Sequence, residues 1–140
     1  MLLRKKNGPV SMILTAVLLL ILFVLIMVII GNEPKAVVDS ERLKINSLFY
    51  NVTKPLSEIT DIRLSDEAPN DTRRTNGIGI GSVKRGWFKV EGMGKGRMYI
   101  HSDVKPYIYI TTRDSFIIIN WKDSKHTQEF YDELVKNWKP

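Results

Sequence analysis

The chain has 140 residues, a formal net charge of +6 and no cysteine. Without cysteine it can have no disulfide framework, no thiolate-bound metal and no lipid attached through a cysteine. Three basic residues precede residue 10, so residues 32–140 carry an excess of only three positive charges, which is too small to indicate nucleic acid binding. These residues are enough for one compact domain.

An uncharged apolar segment runs from Val10 to Ile30 and is the strongest signal in the sequence. In helical conformation it would extend about 30 Å, which is the thickness of the hydrocarbon core of a bilayer. A secretory signal peptide has a shorter apolar region and small residues before its cleavage site, whereas Ile29 is bulky. The segment therefore predicts an uncleaved transmembrane helix over residues 10–30, with cleavage after Gly31 as the alternative.

The charges around this segment predict its orientation. Arg4, Lys5 and Lys6 lie in a basic tail, residues 1–9, and Lys or Arg close to a span tends to stay in the cytoplasm. We therefore expect a single-pass protein of the cell membrane, with a cytoplasmic N-terminus and an extracytoplasmic C-terminal domain. Lys35 also lies near the span, so the inverted orientation stays open. A polar linker is expected over residues 31–40 and a folded domain over residues 41–140.

Period-two alternation of polar and apolar residues begins at Glu41 and predicts a domain made mainly of strands. A loop is expected over residues 65–76, and Asn76-Gly77 is typical of a turn because both residues tolerate positive φ. Arg113 and Asp114 fit the tight turn of a hairpin. The predicted strand segments are residues 41–45, 48–52, 59–64, 87–90, 97–100, 107–111 and 116–120.

The C-terminal segment has the periodicity of an amphipathic helix. Phe130, Tyr131, Leu134 and Trp138 recur at helical spacing and form one apolar stripe. Either Asp123 or Ser124 can cap the N-terminus of this helix. The predicted fold class is therefore mainly β with one C-terminal α-helix, in which the helix closes one end of a bent antiparallel sheet.

Several short motifs follow one another through the domain. They are LSEITDI at 56–62, RTNGIGIG at 74–81, GWF at 86–88, YIYI at 107–110, and Asn120 followed by FYDEL at 130–134. This order resembles the bacterial pleckstrin-homology-like (PH-like) domain family over about residues 36–137, and the chain looks like a membrane-anchored member. The resemblance implies a sandwich or barrel of about seven strands with a C-terminal helix, and it does not imply an enzyme.

A basic segment is the strongest candidate for a binding site. Glycines between the charges would leave main-chain N–H groups accessible to an anion. The segment is thus a possible site for anionic lipid headgroups or a phosphate-rich envelope polymer, or else it consists of solvated strand edges on which Lys and Arg prevent aggregation. Only one acid, Glu91, lies among the candidate residues, which are Arg73, Arg74, Lys84, Arg85, Lys89, Lys95 and Arg97.

The sequence contains few residues that could form a catalytic or metal-binding site. His101 and His126 are the only histidines, and neither has carboxylates at a spacing typical of metal ligands. We therefore expect no enzyme, no cofactor, no metal and no nucleic acid partner. The leading interpretation is a non-catalytic binding or scaffold protein whose domain engages a protein partner, for example by adding a strand to an exposed sheet edge. Anion binding through residues 73–97 is the alternative.

Overall fold

The computed structural model describes residues 8–70 and 72–140, which form a helical unit ending at Gly31 and a compact domain from Asn32 to Pro140. The helix α1, Pro9–Gly31, has no buried residue and is long and apolar enough to cross a membrane. Its bounds agree with the span expected over residues 10–30. Most of the basic tail, residues 1–7, lies outside the described residues.

The domain begins with a three-stranded antiparallel sheet in the order β1-β2-β3. Its strands are β1 (Lys35–Val38), β2 (Arg42–Asn46) and β3 (Val52–Pro55). In β2 the alternation seen in the sequence buries Leu43 and Ile45 completely. Strand β1 lies within residues 31–40, where the sequence predicts a polar linker. The folded domain therefore starts before residue 41.

A 3-10 turn, Leu56–Glu58, leads into a six-stranded sheet. The strand order is β4-β8-β9-β7-β6-β5, and every neighbouring pair is antiparallel except β7 and β9, which are parallel. The strands are β4 (Ile59–Ser65), β5 (Thr72–Ile80), β6 (Val83–Val90), β7 (Gly94–Ile100), β8 (Tyr107–Thr112) and β9 (Phe116–Ile119). The mainly β fold class is thus confirmed, with nine strands among the described residues.

The turn expected at Asn76-Gly77 is wrong, because β5 continues through both residues. The register shifts between Arg74 and Asn76, which is a bulge that absorbs one extra residue. Gly77 lies opposite Gly86, and a Cβ at Gly77 would collide with the main chain of Arg85. The glycine is therefore needed for close approach of two strands. The chain reverses instead near Gly81, whose φ is +56°.

Two apolar clusters lie on opposite faces of the six-stranded sheet. On one face, Ile110, Ile117 and Ile119 pack with Leu43 and Ile45 of the first sheet. On the other face, Phe88, Met98 and Ile118 belong to a second cluster. The hydroxyl of Tyr109 donates to the carbonyl of Glu67 at 2.7 Å, which holds the segment after β4 near this second face. The sheet is therefore buried on both sides near its centre.

The C-terminal helix α2, Ser124–Asn137, completes the first cluster. Asp123 is its N-cap, with a side chain that accepts a hydrogen bond from the Lys125 N–H, as the sequence predicts. Phe130 and Leu134 are buried, while Trp138 is half-buried and donates from Nε1 to the carbonyl of Ile59. The apolar stripe is therefore used for packing against the sheets.

Candidate functional site

Strand register assigns the seven candidate basic residues to different surroundings. Cross-strand partners point to the same face of a sheet, so Arg73, Lys89 and Lys95 form one row across β5, β6 and β7. Arg97 lies opposite Trp87 and belongs to the same face. Arg73, Lys89 and Lys95 are exposed, whereas Arg97 is half-buried. Four of the seven residues therefore share one face, and we call Arg73, Lys89 and Lys95 the basic row.

Arg74 and Lys84 lie on the opposite face of the sheet. Arg74 is the cross-strand partner of Phe88, and Lys84 is the partner of Ile100. The ammonium of Lys84 donates to the hydroxyl of Thr72 at 3.1 Å. These two residues therefore do not extend the basic row.

Arg85 is buried, with 2% of its surface exposed, and its guanidinium has partners inside the domain. Nη1 donates to the carbonyl of Ile100 at 2.7 Å, Nη2 donates to the carbonyl of Asn32 at 2.9 Å, and Nε donates to the hydroxyl of Ser47 at 3.0 Å. Burial lowers its pKa to about 10, so it stays protonated at neutral pH. Arg85 is thus a structural cation that fixes the first residue of the domain, and an external anion cannot reach it.

The ring of His101 is a further partner of the Arg85 guanidinium. Its Nδ1 lies 2.6 Å from Nη2 of Arg85, and since Arg85 can only donate, Nδ1 is the acceptor and the proton is on Nε2. Nε2 lies 3.8 Å from a carboxylate oxygen of Glu33 and makes no hydrogen bond among the described residues. Burial, and then the charge of Arg85, lower the pKa of His101. This arrangement holds the imidazole neutral.

A half-open cavity of about 290 Å³ lies where three elements meet, and we call it the basic groove. Strand β3 contributes Lys54, the β6–β7 hairpin contributes Trp87, Lys95 and Arg97, and the β8–β9 turn contributes Ser115 together with Asp114. The Lys95 ammonium lies 5.3 Å from the centre of the Trp87 ring, and the Arg97 guanidinium carbon lies 4.6 Å from it. Such cation–π contacts contribute about 0.5–1 kcal/mol each when exposed.

Close packing keeps the β8–β9 turn beside the hairpin. A Cβ at Gly96 would lie 2.6 Å from the ring of Phe116, so glycine is required there. The hydroxyl of Ser115 donates to the carbonyl of Lys95 at 3.1 Å. The position of Lys95 is therefore fixed from its main chain as well as from its contact with Trp87.

The sequence reasoning missed Lys54, Trp87 and Ser115 as residues of this groove. A signal for Trp87 was present in the sequence. Trp87 lies as far before the hairpin turn as Arg97 lies after it, and the same holds for Lys89 and Lys95. A hairpin centred on this turn therefore places Trp87 opposite Arg97 and Lys89 opposite Lys95, as observed. No signal existed for Lys54 or Ser115, since they come from other parts of the fold.

The outer edge of β5 is a second candidate site. It is a terminal strand of the six-stranded sheet, so one side of its main chain has no strand partner within residues 8–70 and 72–140. After the bulge, residues 75–80 carry no charge, and Ile78 and Ile80 are half-buried. Charged side chains and bulges normally protect such edges. Here the charge protects only the first part of the strand, at Arg73 and Arg74.

A family model described as a bacterial PH domain matches residues 34–137, which is nearly all of the compact domain. No curated protein and no solved structure matches the chain.

Proposed function

Since the chain belongs to the bacterial PH domain family, we propose that it is a non-catalytic binding protein held in the cell membrane by α1. The length and apolar composition of α1 support the anchor. The basic tail at Arg4, Lys5 and Lys6 supports a cytoplasmic N-terminus and an extracytoplasmic PH domain. Such an anchor keeps a binding domain at high local concentration near other proteins of the cell envelope.

The domain engages a protein partner by adding an extended segment of that partner to the edge of β5. The observation that carries this proposal is the uncharged stretch 75–80 on a strand with one unpaired side. Main-chain hydrogen bonds would provide affinity, and alternate side chains of the added strand would provide specificity. Apolar residues of the partner fit next to Ile78 and Ile80, which are only half-buried in the free domain.

Site-specific crosslinking of the full chain in its native membranes tests this proposal. A photoreactive amino acid replaces Thr75, which is exposed on β5, and the control replaces Val37, which is 65% exposed on the edge strand β1. We expect a covalent product with a second protein from position 75 and none from position 37. Adding Gly79→Lys should abolish the product, because charge on an edge opposes strand addition.

Gly79 is a suitable position because a Cβ there meets no atom within 4 Å, so the substitution leaves the fold intact. Products of equal yield from positions 75 and 37, or products unaffected by Gly79→Lys, would contradict strand addition at β5. A product with twice the mass of the chain would identify a second copy as the occupant instead of another protein.

Anion recognition is the second candidate function. It is supported by the common face of Arg73, Lys89, Lys95 and Arg97, which gathers positive charge on one side of the sheet. Each Lys or Arg near an anionic surface contributes about 1 kcal/mol. Arg74, Lys84 and Arg85 no longer belong to this candidate, because two lie on the opposite face and one is buried.

A further inference from the structure

The basic groove is lined by more cations than carboxylates. Its lining includes the cations Lys54, Lys95 and Arg97 and a single carboxylate, Asp114. Lys54 has a partner in Glu58 at 3.6 Å, but this pair is partly exposed and therefore weak. No ion pair of Lys95 or Arg97 occurs among residues 8–70 and 72–140. Two cations are thus held on one aromatic ring without a carboxylate between them.

The two cations are also positioned before any ligand binds. Trp87 is fixed by β6 and contacts both charged groups, and the main chain of Lys95 is held by Ser115. Arg97 donates a long hydrogen bond, 3.4 Å, to the carbonyl of Asn51, and its guanidinium also interacts with the buried hydroxyl of Tyr99, where it opposes the rise in pKa that burial causes. A guanidinium has five N–H donors, so donors remain for a ligand. Side chains that are already ordered lose less conformational entropy when they bind a ligand.

The chemistry of the groove selects the class of ligand. Guanidinium groups bind phosphate with paired hydrogen bonds, and lysine adds a mobile point charge. A volume of about 290 Å³ is at the lower limit for small-molecule sites, so the groove has room for one phosphate-bearing group. We infer that the basic groove binds a phosphate group, through Arg97 and Lys95 on the Trp87 ring and Lys54 of strand β3. This inference rests on the second candidate function and gives it a site.

A phosphate group could come from a lipid headgroup or from a soluble phosphate ester, and the experiment separates these sources. The full chain is placed in phosphatidylcholine nanodiscs, and the three indole N–H signals are followed by NMR while inorganic phosphate is added at constant ionic strength. Trp87→Phe assigns the signal of Trp87. We expect that signal to shift in a saturable way, while the signals of Trp121 and Trp138 stay in place and report an intact fold. Nanodiscs that contain phosphatidylglycerol test the lipid source without added phosphate.

Two double variants with the same change in charge decide where the phosphate binds. Lys95→Gln with Arg97→Gln removes two of the three groove cations, and binding should weaken about tenfold or more because two charge-assisted contacts are lost. Arg73→Gln with Lys89→Gln removes the other cations of the same face and should weaken binding clearly less than the loss of Lys95 and Arg97, because these two charges lie outside the groove.

The inference would be overturned by equal losses in the two double variants, or by a Trp87 shift that chloride reproduces at the same ionic strength. Loss of binding only in the Arg73 and Lys89 variant would also overturn the groove as the site. That last outcome would reject the groove as the site but would not reject anion recognition by the wider basic face. The experiment therefore distinguishes failure of this inference from failure of the second candidate function.

Discussion

Arg85 shows how strongly one side chain depends on residues far away in the sequence. Its neighbours in the chain, Lys84 and Gly86, suggest an exposed basic strand, and sequence reasoning placed it with the surface cations. Its actual partners are the carbonyl of Asn32, the hydroxyl of Ser47 and the ring of His101, which are 53, 38 and 16 residues away. The local sequence carries no sign that the sheet is covered at this position.

The neutral His101 beside Arg85 predicts a pH-dependent stability. The groups that act on it are Arg85 and Lys122, which lower its pKa, and Glu33, which opposes them. Because the pKa lies below the ordinary 6.5 in the folded domain, the unfolded chain takes up a proton first as the pH falls. The contribution of His101 to stability should therefore be constant above about pH 7 and decrease as the pH drops below about 6.5.

Urea unfolding of the full chain, followed by tryptophan fluorescence, measures this dependence. All three tryptophans, Trp87, Trp121 and Trp138, lie in the PH domain, so the signal reports that domain alone. His101→Gln should remove much of the loss between about pH 7 and pH 5. His126→Gln, at the only other histidine, is the control and should keep the dependence. An equally steep loss in both variants would mean that another group titrates.

At the scale of elements, the sequence predicts the strands and helices whose own residues show the expected periodicity. Strand β2 and helix α2 alternate or repeat with the period of the structure they form, and Asp123 caps α2 as expected. Strand β1 was missed because its four residues include the exposed Lys35 and Val37, so no apolar alternation stands out. The bulge in β5 was missed because Asn76-Gly77 is typical of turns, whereas here the glycine permits close contact of two strands.

Helix α2 should contribute strongly to stability through its buried face. Leu134 is fully buried in the first cluster, so Leu134→Ala should lower the free energy of unfolding by about 2–5 kcal/mol. Glu129→Ala is the control on the exposed face. It removes only a surface pair with Lys125 at 3.9 Å and should cost about 0.5 kcal/mol. Chemical denaturation of both variants measures the difference, and similar losses would show that α2 does not complete the core.

At the scale of the whole molecule, the absence of cysteine allows a direct test of the proposed topology. Lys122→Cys places a thiol at an exposed position of the PH domain, and Asn7→Cys places one in the basic tail. In intact spheroplasts, a membrane-impermeant maleimide should label position 122, and it should label position 7 only after permeabilisation, because the basic tail stays in the cytoplasm.

The cysteine-free parent is the control for this labelling and should give no product. Labelling of position 7 but not position 122 in intact cells would show the inverted orientation. If the mature chain carries no label at position 7 even after permeabilisation, the N-terminal segment has been cleaved instead of retained.

The first residues of the domain are held by hydrogen bonds, and this affects how the domain responds to a pull. The carbonyl of Asn32 is held by Arg85, and the carbonyl of Pro34 accepts a 2.7 Å hydrogen bond from Nε1 of Trp121. A free linker of nine residues could reach about 30 Å, whereas these two hydrogen bonds tie residues 32–34 to the rest of the domain. Releasing this segment would require breaking the buried contacts of Arg85 and Trp121, so the chain that leads into β1 resists being pulled out of the domain.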